Sequence, residues 1–104
     1  DKLLLLDQER GGVLAEYTGH ATSKYNVRAC FLRDEAQVAS GSGDGVARVW
    51  DTVSGRELAR LDAPYKHEWG AGAGERAPVG CIAPHPDGKI VATSCYDGAV
   101  TLWR

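Results

Sequence analysis

An internal repeat constrains this chain more than any other feature. The stretch from Val38 to Asp51 aligns without a gap with the stretch from Val91 to Arg104. Val38/Val91, Ala39/Ala92, Asp44/Asp97, Gly45/Gly98 and Trp50/Trp103 are identical, and Ser40 is replaced by Thr93, hydroxyl for hydroxyl. A third, partial copy lies upstream. Leu6-Asp7 precedes Trp50-Asp51 by 44 residues, and the same offset superposes Gly11 on Gly55, Leu14 on Leu58 and Ala15 on Ala59. A period of this length describes one supersecondary unit that cannot bury its apolar face alone, so successive units stack and share a core. The interval from Trp50 to Trp103 is longer, 53 residues. The surplus falls in 62–77, where Gly70, Gly72, Gly74 and the alanines around them predict a flexible surface insertion.

Within each unit the pattern is that of short strands. Runs are expected at Tyr25–Leu32, Gln37–Ser40, Val46–Asp51, Glu57–Leu61, Val79–Ala83, Lys89–Ser94 and Ala99–Trp103. Asp44-Gly45 and Asp97-Gly98 are tight-turn pairs. His85-Pro86-Asp87-Gly88 is another turn, because Pro presets φ and Gly accepts a positive one. Several strands are apolar on both faces, as in Lys89-Ile90-Val91-Ala92, which suits a small sheet held between two neighbouring sheets. No helix is expected.

Composition narrows the function classes. A net charge of −2 with no run of Lys or Arg argues against a nucleic-acid partner held through phosphates and against an electrostatic membrane anchor. The longest apolar run, Leu3 to Leu6, is far too short to cross a bilayer as a helix. Cys30, Cys81 and Cys95 are odd in number with no CxxC spacing, so neither a disulfide framework nor a zinc site is expected, and reduced, buried thiols are the better reading. An intracellular protein, cytoplasmic or nuclear and without cofactor or metal, follows from this reading.

On these residues the chain resembles the WD-repeat family. Gly19-His20 opens a unit that closes with Trp50-Asp51. The resemblance implies an all-β fold, a partial β-propeller of about two and a half four-stranded antiparallel blades, from the C-terminal part of a seven-bladed ring. It divides the chain into the second half of one blade (1–18), one complete repeat (19–61), the insertion (62–77) and the first three strands of a last blade (78–104). It also implies a hydrogen-bonded tetrad of His20, Ser40, Asp44 and Trp50, with Thr93, Asp97 and Trp103 in the last unit. There Glu75 stands near the place of the His. In the first unit Leu6 replaces the Trp. Four such groups have complementary donors and acceptors, and each is costly to bury unpaired. Within the family the chain most resembles scaffolds of mitogen-activated protein kinase cascades and of pre-mRNA splicing complexes, which implies kinase-cascade or spliceosomal partners.

Other readings of the same residues are weaker. Ser40, His20 and Asp44 include the types of a hydrolase triad, but no Gly-x-Ser-x-Gly elbow accompanies them. The glycine-rich Ser40 to Gly45 stretch lacks the Lys of a phosphate loop and precedes a strand. A scaffold, not an enzyme, is therefore expected. A histone-tail or peptide reader of a chromatin-modifying complex is the alternative. The positions where such relatives grip an arginine are Asn26 and Arg28 here, and a cationic Arg28 repels an arginine and offers it no aromatic face. Asn26 and Arg28 remain candidate partner contacts on an innermost strand, against a solvated strand end. Tyr65 and Trp69 in the insertion are candidate interface anchors, against a Trp folded back over a sheet edge.

Overall fold

The computed structural model describes residues 1–21, 26–62 and 77–104. Among these, nine strands form three antiparallel sheets and there is no helix. The first sheet pairs β1 (Lys2–Leu6) with β2 (Val13–Thr18). The second is a four-stranded meander of β3 (Ala29–Leu32), β4 (Gln37–Ser40), β5 (Val46–Asp51) and β6 (Glu57–Asp62). The third joins β7 (Val79–Pro84), β8 (Val91–Cys95) and β9 (Val100–Trp103).

The repeat is visible in the turns as well as the strands. Asp7 and Asp51, 44 residues apart, each accept a bond from the glycine four residues on, Gly11 and Gly55. Each also donates its own N–H to the residue after that glycine. Both glycines have positive φ, 73° and 74°. In the Asp-Gly turns the Asp44 and Asp97 carboxylates accept the N–H two residues ahead, at 3.0 and 2.9 Å, while Gly45 and Gly98 take φ values of 85° and 91°. A short side-chain acceptor plus a residue free to adopt positive φ is what reverses the chain in so few residues.

The sheets stack face to face through two apolar clusters. Tyr17, Val38 and Trp50, with Leu3, Leu5 and Ala15, join the first sheet to the second. Leu32, Ala39, Ala47, Val49, Val79 and Ile82, with Cys30, Leu61, Val91 and Cys95, join the second to the third. The two central strands of the second sheet, β4 and β5, are thus buried on both faces, as their two-sided apolar pattern requires.

The starts of two strands differ from the sequence reading by two residues or more, and β6, β7 and β9 each differ from it by one residue at one end. Of the run expected at Tyr25–Leu32, Tyr25 lies outside the described residues, and the rest is a strand only from Ala29, because the backbone at Arg28 reaches another sheet. Arg28 donates its N–H to Gly80 O in the third sheet at 2.9 Å, while its carbonyl accepts from Gly41 at 3.0 Å. The run expected from Lys89 begins at Val91, after the turn in which Asp87 accepts the Lys89 N–H. The turn from β3 to β4 was not legible at all. Arg33, Asp34 and Glu35 all have positive φ, 51°, 53° and 72°, a region that costs non-glycine residues about 1–2 kcal/mol each.

Candidate functional site

The residues singled out as a tetrad gather where the second sheet meets the first, but they bond differently from the expectation. His20, Ser40 and Trp50 are buried. The His20 ring meets Trp50 edge-on, with centroids 5.1 Å apart at 70°. Trp50 Nε1, however, donates to Thr18 O at 3.0 Å and not to Ser40, whose hydroxyl donates to Gly41 O at 2.9 Å. Asp44 bonds Arg48, with Nη2 to Oδ2 at 2.8 Å, and not His20. The physical reason is charge. Arg48 lies buried on β5 four residues after Asp44, and a buried guanidinium claims the nearest carboxylate before a neutral imidazole can. Glu57 stands 3.6 Å from Arg48 Nε and also binds Arg60 at 2.5 Å.

In the third sheet the pairing follows the expectation in one link. Trp103 Nε1 donates to Thr93 Oγ1 at 3.0 Å, and Asp97 holds its turn. Asn26 and Arg28 lie just before β3. Asn26 O accepts the Tyr96 hydroxyl at 2.9 Å, so both residues help tie the second sheet to the third. Tyr65 and Trp69 lie outside the described residues. Among the described residues no His, Cys, Asp and Glu cluster is placed to hold a metal. Cys30, Cys81 and Cys95 are free and half-buried, and burial pushes the Cys30 and Cys95 thiols up, away from the reactive thiolate.

Sequence reasoning missed three residues that tie this site together. Tyr17, fully buried, donates its hydroxyl to Thr52 O at 2.7 Å across the first two sheets. Ser42 accepts the Ala21 N–H at 2.8 Å and anchors the loop that carries His20. Arg48, as above, captures Asp44. The alignment gave no signal for Arg48, because Thr101 occupies its place in the last unit and Leu4 in the first.

The electrostatics give two expected outcomes. Burial, then the Arg48 guanidinium, lower the His20 pKa, and Asp44 only partly opposes them. A histidine depressed in the fold is protonated first in the unfolded chain. Stability is therefore full above about pH 6.5 and falls as pH drops from there toward the folded value. Urea midpoints measured from pH 7.5 down to 5 should show this fall, and His20→Leu should flatten it. At Asp44 burial raises the pKa, but hydrogen bonds from Arg48, Ser42 and Val46 outweigh it and the net shift is down. Its contribution is thus present above the ordinary carboxylate value and lost only as pH falls through the folded one. Asp44→Ala should cost about 1–2 kcal/mol at pH 7. This is less than the loss of a fully buried partner, because the Asp44 side chain is 41% exposed. Denaturant titration of this variant beside Arg48→Met, which removes the buried charge too, checks that Asp44→Ala is the more damaging.

Comparison with known proteins agrees with this architecture. The family model for the WD domain, G-beta repeat, matches residues 11–51 and 71–104. Over 98% of its length the chain is 42% identical to WD repeat domain-containing protein 83 of Rattus norvegicus and 32% identical to that of Homo sapiens. It spans 29% of each of those proteins. The fold matches the crystal structure of the computationally designed Ika4 protein with a TM-score of 0.64 and 24% identity, covering 96% of this chain and 52% of that one. Stacked antiparallel sheets, repeated Asp-Gly turns and the matching family model together establish that the chain belongs to the WD-repeat family.

Proposed function

We propose that the chain serves as a non-catalytic protein-interaction scaffold that organises a mitogen-activated protein kinase cascade, a pre-mRNA splicing complex or both, in the cytoplasm or nucleus. The observation that carries this reading is the use made of the chemistry-bearing side chains. His20, Ser40, Asp44, Trp50, Thr93 and Trp103 are all engaged in packing, turns or bonds between elements. WD-repeat domains generally present their surfaces to other proteins, and the likeness to WD repeat domain-containing protein 83 over 98% of the chain supports the same role.

The architectural part of the proposal is a partial propeller of about two and a half blades, from the C-terminal part of a seven-bladed ring. On that reading 1–18 is the second half of a blade, 19–61 a full repeat, 62–77 an insertion and 78–104 three strands of a last blade. Affinity purification of the protein from cells, with quantitative mass spectrometry, tests the partners. Enrichment of kinase-cascade or spliceosomal components is the expected result, and their absence from the recovered set overturns the assignment. Recovery of chromatin-modifying subunits instead would favour the histone-tail reader.

A further inference from the structure

Tyr96 sits in the turn between β8 and β9 of the third sheet and reaches back to the second. Its hydroxyl donates to Asn26 O at 2.9 Å, and its backbone N–H donates to Pro78 O at 3.0 Å. The ring lies against Gly80, where a Cβ would stand 2.7 Å from Cε1 and 3.2 Å from Cδ1. Gly80 thus leaves the space that the ring occupies. Tyr96 is nevertheless 43% exposed, whereas Tyr17, the other tyrosine among the described residues, is 1% exposed. A hydroxyl that bridges two sheets is here also open to solvent.

Arg28 is placed beside it. Its N–H donates to Gly80 O at 2.9 Å, so its backbone is bonded to the residue that the Tyr96 ring covers. The direction of its side chain follows from the strand period. Cys30 and Leu32 pack in the cluster that joins the second sheet to the third, and Arg28 extends the same ladder, because its carbonyl accepts the Gly41 N–H at 3.0 Å. Alternation puts Arg28 on the face that looks toward the third sheet. It is exposed, and among the described residues it has no ion pair. The acid nearest to Tyr96 in sequence, Asp97, is engaged in its own turn, accepting the Ala99 N–H at 2.9 Å.

We propose that Tyr96 is a phosphorylation site whose phosphate is received by Arg28. A tyrosine kinase transfers the γ-phosphoryl group of ATP to Tyr96 Oη. The bond from that phosphorus to the bridging oxygen of ADP breaks, and the phenolic proton passes to the base of the kinase. The product has no proton left to donate to Asn26 O, and it carries about −1.5 to −2 charges on oxygens whose geometry suits a guanidinium. A neutral bond between the sheets is exchanged for an ion pair on the same segment, and the exposed cation at Arg28 is neutralised. The site does not rest on the scaffold reading, because these residues and bonds are the same whichever partner the protein serves.

The test treats the protein with ATP and a broad-specificity tyrosine kinase domain, beside a peptide of sequence Thr-Ser-Cys-Tyr-Asp-Gly-Ala. Mass spectrometry locates the phosphate. Near-complete modification of Tyr96 in the protein is expected, with Tyr17 untouched. An unmodified Tyr96 in the protein, whether or not the peptide reacts, overturns the site, and so does equal modification of Tyr17, which would mean that the kinase acted on unfolded chain. Phosphorus NMR then follows the second ionisation of the phosphate, ordinarily near a pKa of about 6. Pairing with a cation should lower it by about half a unit relative to the phosphopeptide. Arg28→Gln should return it to the phosphopeptide value, and Arg28→Lys, which keeps the charge, should retain most of the shift. Circular dichroism should show both variants folded, since the Arg28 side chain is exposed and its bonds to Gly80 and Gly41 are made by the backbone. No shift in the protein, or a shift that survives Arg28→Gln, overturns the pairing.

Discussion

Trp50→Ala is expected to cost about 3–5 kcal/mol, enough to leave a domain of this size close to unfolded at room temperature. The indole is 1% exposed and lies against both Tyr17, with ring centroids 5.7 Å apart, and His20. Truncation removes those contacts, opens a cavity between the first and second sheets, and leaves Thr18 O without its donor. Urea denaturation followed by circular dichroism checks the size of the loss. Trp103→Ala supplies the comparison. Trp103 is only half-buried, so its loss should be clearly smaller even though its Nε1 bond to Thr93 is as short. Equal losses at the two sites would mean that the unfolded state, and not sheet stacking, sets the cost.

The second large effect is expected at Gly41. Its conformation is ordinary, but a Cβ there would stand 2.1 Å from Val79 O and 2.9 Å from Val79 C, both backbone atoms of the neighbouring sheet. Neither can swing aside. Gly41→Ala must push the second and third sheets apart at the Ser42–Val79 bridge, at a cost of about 3 kcal/mol. That corresponds to a fall in melting temperature on the order of 15 °C. Gly80→Ala makes the contrast, since its Cβ would meet Tyr96 Cε1 at 2.7 Å, an atom of a side chain. The ring can rotate away at the expense of its bond to Asn26, for about 1 kcal/mol. Differential scanning calorimetry of the two variants should therefore separate them widely.

Both predictions concern junctions between sheets, and these were the part of the molecule least legible beforehand. Gly41 reads in sequence as one glycine of a rich turn, yet its role is set by a carbonyl on another sheet. Arg48 reads as a polar residue on a strand, yet it is buried and takes the Asp44 carboxylate, while neither His20 ring nitrogen has a partner among the described residues. Asn26 and Arg28 were read as an innermost strand, whereas their backbone is tied to the third sheet.

What the sequence by itself determined is local and periodic. Alternation of apolar residues, Asp-Gly turns and the spacing of Trp50 and Trp103 specify short antiparallel strands in repeated units, because strand period and turn geometry depend only on neighbouring residues. The strands Gln37–Ser40 and Val46–Asp51 and the Asp44-Gly45 and Asp97-Gly98 turns were therefore read to the residue. Only the tertiary structure decided which donor meets which acceptor. Stacking distance between sheets, unlike strand period, is a property of two surfaces at once. The packing there gives Trp50 the Thr18 carbonyl in place of Ser40, and a buried guanidinium gives Asp44 a partner in place of His20.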